Sequence, residues 1–255
     1  MLFLIGLGLD SKDISLHGLE TAKRCDALFV DSYTNYIDNG YISFLEGETG
    51  KSIQRIDRSD LEENASMLIG IAKEKDIAVF VSGDPFLATT HQSIILDAVK
   101  AKVKYRVIHG SSIMGAAAGE AGLIAYRFGQ TTTVPFWTEK YKPTSFLDVI
   151  NSNLINLQHT LVLLDYKSIE RKKMDLGEAL DILRAADKEK GYNIINGYRH
   201  IIVLGDVGKD TQDIAYMKIQ DIGEKIFKRF ANKLTTIIIP AKLTAAEAEF
   251  VSMFG

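Results

Sequence analysis

Short runs of apolar, β-favouring residues alternate along this chain with segments whose apolar positions recur every three or four residues. LFLI (2–5), ALFVD (27–31), AVFVS (78–82) and VKYRVIH (103–109) read as strands. Helices are predicted from about Ser15 to Arg24, Ser59 to Lys75 and Thr90 to Lys100. In the second, Leu61, Ala65, Leu68, Ile69 and Ala72 share one face, with Ser59 or Asp60 as the cap. Such alternation predicts βαβ units and a mainly parallel sheet.

The pattern changes after Gly110. SIMGAAAGEAG (112–122) is a small, apolar run suited to a helix packed closely on another backbone. TTTVP (131–135), a helix from near Thr144, TLVLLD (160–165) and a helix near Leu176–Ala186 follow. HIIVLGDVGKDTQDIAYMKI (200–219) reads as two strands around a Gly-Asp-Lys turn, which predicts a hairpin. A helix near 221–230, the strand TTIIIP (235–240) and a helix from about Ala245 to Phe254 finish the chain. The organisation expected is an N-terminal α/β domain over residues 1–110 and a C-terminal α/β domain over 111–255, the latter with a mixed sheet.

With 255 residues, 46% of them apolar, the chain can bury a substantial core. A net charge of −3 gives no global field toward nucleic acid or a membrane surface. The single cysteine, Cys25, excludes an intramolecular disulfide and fits a reducing compartment. No apolar run approaches the ~20 residues of a membrane helix, and MLFLIGLGL lacks the basic start of a signal peptide. A cytoplasmic, soluble protein is expected.

Four stretches carry candidate chemistry. GLGL (6–9) follows the first strand as a dinucleotide fingerprint would, but the third glycine is replaced by Ser11. HGSSIMG (109–115) approaches a nucleophile elbow around Ser112, but the closing position is Met114. There, Ser111 or Ser112 also serves as an ordinary helix cap. The five histidines show no zinc-ligand spacing, and Arg171-Lys172-Lys173 reads as a solvated loop or a docking patch. In VSGDPFLATTH (81–91), Gly83 permits a tight turn, Pro85 fixes the following residue, and Asp84 falls at the strand's carboxyl end. That is the ligand side of an open α/β sheet, so the stretch reads either as a nucleotide or zwitterion pocket or as a structural turn.

IGLGL (5–9), GDPFLATTH (83–91), HGSSI (109–113), YRFGQTTTVPF (126–136) and PAKLTAAEAE (240–249) occur in the order seen in archaeal diphthine synthases, which the whole chain resembles. That family lies within the tetrapyrrole (precorrin) methylase class, with which GLGL and GDP are shared; GDPxxATTH is the specific element. The resemblance implies two α/β domains of the tetrapyrrole methylase type with the cofactor, S-adenosylmethionine, in a cleft between them, in a homodimer. It implies stepwise methylation of the amino group of an aminocarboxypropyl-histidine on translation elongation factor 2. No nucleic acid or membrane partner is implied, and no metal.

Matching positions imply cofactor contacts at Leu9, Asp84, Leu87, Ser112, Ile113, Leu164, Val207 and Thr235. The last two are matched through variable sequence. The family's closing Gly-Lys-Leu-His is Ala241-Lys242-Leu243-Thr244 here, so no histidine acts at that point. No catalytic base is identified from sequence. The rival readings are a precorrin-type small-molecule methyltransferase, a nicotinamide oxidoreductase and a cofactor-binding scaffold without turnover.

Overall fold

The structure is a computed structural model that describes residues 1–33, 36–57, 61, 65–167 and 170–255. The chain forms two compact units, Met1–Ile113 with Tyr166–Lys172, and Met114–Asp165 with Lys173–Gly255. Ser59 and Asp60, expected to cap a helix, lie outside the described residues.

The first unit is built on five parallel strands: β1 (Leu2–Gly6), β2 (Ala27–Asp31), β3 (Ile53–Ile56), β4 (Ile77–Val81) and β5 (Tyr105–Ile108), in the order β3-β2-β4-β1-β5. All five residues of β4 are buried, as a central parallel strand with both faces covered requires. One face carries Leu2, Leu4, Val79 and Val81 against α3 (Ala65–Glu74) and α4 (Gln92–Lys100). The other carries Ile5, Leu28, Val30 and Phe80 against α1 (Leu16–Arg24) and α2 (Asn39–Thr49).

The caps explain where these helices begin and end. Ser15 accepts from the Gly18 N–H at the start of α1, and Asp38 from the Gly40 N–H at the start of α2. Gly50 closes α2 at φ +67°, the left-handed conformation glycine tolerates. α2 and β3 are absent from the sequence expectation. Asn39, Gly40 and Gly47 are weak helix formers, and Gln54-Arg55 breaks the apolar run of the sheet's outermost strand.

The second unit holds the order β11-β10-β12-β7-β6, formed by β6 (Thr132–Val134), β7 (Thr160–Leu164), β10 (His200–Gly205), β11 (Asp213–Lys218) and β12 (Thr235–Ile239). β6 and β7 are parallel and the other pairs antiparallel, so the sheet is mixed, and β10–β11 is the expected hairpin. Phe146, Leu147 and Ile150 of α6 (Ser145–Ile155) pack in one core with Leu176, Leu180 and Leu183 of α7 (Leu176–Lys190). Between β7 and α7 the basic run is partly a short strand, β9 (Lys172–Lys173), paired with β8 (Tyr166–Lys167). Two further helices, α8 (Glu224–Phe230) and α9 (Ala245–Val251), flank β12 in sequence.

The closing segment of this unit is fastened by a buried polar cluster. Glu247, in α9, forms a capping box with Thr244 and accepts from the Ile124 N–H, His159 Nε2 and Arg127. Because His159 Nδ1 accepts from the Ala241 N–H at 3.0 Å, its proton resides on Nε2 and the ring is neutral. Burial holds the His159 imidazole below its usual range, against the opposing pull of Glu247. Burial also acts to raise Glu247, but its bonds from the Thr244 and Ile124 N–H groups, from His159 and from the Thr244 hydroxyl prevail and hold the carboxyl at about 2.

Candidate functional site

Three glycines meet where β1, β4 and β5 end. A Cβ on Gly6 would fall 2.5 Å from the Gly110 nitrogen and 2.7 Å from the Gly83 oxygen. One on Gly110 would fall 2.6 Å from that same oxygen. Three loop backbones therefore touch with no side chain between them. Gly8 and Gly83 then exchange N–H···O bonds of 3.2 and 3.0 Å, joining the loop after β1 to the loop after β4. The chain leaves β1 toward β2 on one side and β4 toward β5 on the other, and such divergence opens a crevice at the strands' carboxyl ends.

Two carboxylates organise these loops. Asp84 is 5% exposed; its Oδ1 accepts from the Phe86 N–H at 2.9 Å, and its Oδ2 meets His109 Nδ1 at 2.7 Å and the Gly110 N–H at 3.3 Å. Asp13 Oδ2 accepts from the Leu9 and Asp10 N–H groups at 3.0 and 3.1 Å and from the Ser111 hydroxyl at 3.2 Å. The Tyr41 hydroxyl, buried, donates to the Leu7 oxygen at 2.7 Å, and burial raises it above the usual phenol range.

Of the residues expected at the site, the first unit brings Leu9, Asp84, Leu87, Ser112 and Ile113 to this edge. Leu9 is on the loop tied by Asp13, and Leu87 is an exposed apolar side chain on the turn whose N–H bonds the Asp84 oxygen. Ser112 is buried at the entry to α5 (Ile113–Glu120). Beside Gly83, at φ +72°, an added Cβ would meet only the Ser111 oxygen and Ser112 Oγ, both at 3.9 Å. A ligand can therefore approach the main chain there.

His91, which closes GDPFLATTH, is instead buried at the start of α4. Its Nε2 lies 3.2 Å from Asp31 Oδ2 but out of line for a hydrogen bond.

In the second unit, Leu164, Val207 and Thr235 lie at one end of the mixed sheet. The pairs Gly205↔Thr235 and Thr236↔Leu163 bring the end of β7, the start of β12 and the turn after β10 together. Asp206 shapes that turn at φ +51°, accepting from the Leu234 N–H and the Thr211 hydroxyl, both at 2.9 Å.

Sequence reasoning missed Asp13, Ser111 and Tyr41 as the ties of these loops, and gave His109 no role of its own. The available signal was a second acid, Asp13, soon after GLGL, and a histidine immediately before Gly110. Among the described residues no three of His, Cys, Asp and Glu gather as metal ligands would. No helix among them is long and apolar enough to cross a membrane.

A glycine-walled crevice at the ends of a parallel sheet, followed by a mixed-sheet unit, defines the class. The chain belongs to the tetrapyrrole (corrin/porphyrin) methylase family, whose sequence model matches residues 1–223, and it is a methyltransferase. It is 36% identical over 252 residues to a diphthine synthase of Methanothermobacter thermautotrophicus, covering 98% of this chain and 94% of that one. It is 43% identical over 177 residues to the diphthine methyl ester synthase of Homo sapiens, covering 69% of this chain and 61% of that one. A crystal structure of a diphthine synthase superposes with a TM-score of 0.86 at 33% identity, covering 100% of this chain and 95% of that one.

Proposed function

We propose that this methyltransferase uses S-adenosylmethionine to methylate the amino group of the aminocarboxypropyl-histidine of translation elongation factor 2, forming diphthine. The observation that carries the substrate is the likeness to a diphthine synthase along 98% of the chain. Relatives of the precorrin type would share GLGL and GDP but not a likeness of that extent. The residues at the first sheet's edge fit the donor. Gly83 offers an open main-chain face, Leu87 an exposed apolar surface, and Ser112 a hydroxyl beside them.

When bound, S-adenosylmethionine supplies an activated methyl group on a sulfonium. The chain's own work is to hold donor and amine in line, and good orientation saves about 7–11 kcal/mol of barrier. Leu9, Asp84, Leu87, Ser112, Ile113, Leu164, Val207 and Thr235 are the cofactor contacts of this reading. A homodimer acting in the cytoplasm belongs to the same proposal; family likeness supports the dimer, and a lone cysteine fits the compartment.

The test is transfer to elongation factor 2 that carries the unmethylated side chain, mapped by mass spectrometry. Three methyl groups on the amino nitrogen are expected. A further, alkali-labile methyl would indicate ester formation on the carboxylate, a second reading favoured by the 43% identity to the human relative. No transfer, with S-adenosylhomocysteine still bound, would discard the protein substrate and leave the small-molecule reading.

A further inference from the structure

The pairing of Asp84 with His109 supplies what the sequence did not, a group able to accept a proton. Asp84 Oδ2 stands 2.7 Å from His109 Nδ1, and the two side chains differ sharply in exposure, 6% for the aspartate and 67% for the histidine. The carboxylate already accepts from two main-chain N–H groups, those of Phe86 and Gly110. Asp84 Oδ2 already acts as an acceptor toward the Gly110 N–H, so the proton in the short contact is assigned to His109 Nδ1. Nε2 is then the basic nitrogen, and among the described residues it has no hydrogen-bond partner. Phe86 meets the ring edge-on, centroids 6.1 Å apart and planes at 71°. His109 directly precedes Gly110, whose backbone touches Gly6 and Gly83, so the dyad stands at the same sheet edge as the crevice.

We infer that His109 is the general base of methyl transfer and that Asp84 is its positioning residue, an assignment that rests on the amine reading proposed above. Starting from the ammonium, each methylation requires one proton to leave nitrogen first. His109 Nε2 takes that proton. The nitrogen lone pair then forms the N–C bond as the S–C bond breaks, with its electron pair going to sulfur. The resulting imidazolium, N–H at both nitrogens, is held against the Asp84 carboxylate and returns its proton to water. Three rounds give a quaternary nitrogen and three released protons. A carboxylate acceptor has no proton to lose, so ester formation would not need this base.

His109→Asn is the informative variant, because its amide N–H still reaches for Asp84 while the basic nitrogen is gone. Single-turnover transfer to the aminocarboxypropyl side chain at pH 7 is expected to fall about 10²–10⁴-fold, the usual worth of a general base. The affinity for S-adenosylhomocysteine by calorimetry should stay within about threefold of wild type. The variant's rate should climb about tenfold per pH unit toward the amine's own pKa, roughly 8 for a free α-amino group. Nitrogen-15 NMR of the wild-type chain should find the His109 proton on Nδ1.

A variant within about threefold of wild type at pH 7, a loss of homocysteine-product binding as large as the loss of rate, or a proton on Nε2 would each overturn the assignment. Absence of transfer by the wild-type chain would instead remove the amine reading beneath it.

Discussion

Glu247 and His159 stand 3.2 Å apart with both side chains buried, although 88 residues separate them in sequence. The pair and Arg127 fasten the last helix of the second unit. Replacing Glu247 by Gln leaves Arg127 and the network without their anion. The expected cost is about 3–5 kcal/mol, as for other buried pairs that lose one partner, read from urea unfolding. A loss under about 1 kcal/mol would show that the cluster does not hold the helix.

The same cluster sets a response to acid. The Glu247 carboxyl is depressed to about 2, so its contribution is full above an unfolded carboxyl's value of about 4.3 and is lost as pH falls toward 2. His159 is also depressed, and its contribution declines as pH falls below about 6.5. Both act in one direction. The melting temperature should drop on acidification, and Glu247→Gln should flatten the part of that drop between pH 4 and 2, as followed by circular dichroism across about that range.

Gly6 and Gly70 make opposite predictions. A Cβ at Gly6 meets backbone atoms of Gly110 and Gly83, which cannot move aside as a side-chain tip can. Gly6→Ala should destabilise by about 1–3 kcal/mol or more and weaken S-adenosylhomocysteine binding. Gly70 lies inside α3 with nothing within 4 Å of an added Cβ. Gly70→Ala should stabilise by about 0.5–1 kcal/mol. Chemical denaturation of the two variants side by side decides both.

Asp13 ties the loop after β1 to Ser111 across 98 residues of sequence. Asp13→Ala frees two loop N–H groups and that hydroxyl at an exposed position. Affinity for S-adenosylhomocysteine should fall about tenfold, or ~1.4 kcal/mol, with a stability loss near the ~0.5–1.5 kcal/mol of an ordinary hydrogen bond. Unchanged affinity would remove this loop from the donor site.

Cys25 should be inert in the native protein. Burial, aided by Asp76 and Asp26 and opposed by Lys51, raises its thiol to about 11. A disulfide reagent at pH 8 should label the unfolded chain completely while the native chain stays unlabelled. Because the folded value is the higher one, the thiol's contribution to stability is full below about 8.5 and fades as pH rises toward 11. Rapid native labelling would contradict the burial.

The sequence pattern made β4 and the β10–β11 hairpin legible because their periodicity is complete within a few residues. It did not reveal α2, where Gly40 and Gly47 dilute the helical signal, or β3, where Gln54 and Arg55 interrupt the strand. Asp84 could be read as an acid on a ligand edge. Its partner could not, since His109 reaches it only after α4 and β5 have returned the chain to the same edge. Glu247 was hidden for another reason: within TAAEAE it resembles a solvated helix face, and only the tertiary fold buries it. Local chemistry was readable; pairings across long stretches of chain were not.

The excursion of Tyr166–Lys172 into the first unit bears on how the protein is made and divided. A translating ribosome delivers that segment, with Tyr166 set edge-on to Tyr36 at 6.2 Å, only after β6 and β7 of the second unit have been synthesised. The first unit is therefore completed during the synthesis of the second. No single cut releases it whole, and recombination at one breakpoint would hand a new host the complete five-stranded sheet but not the Tyr166–Lys172 segment that belongs with it.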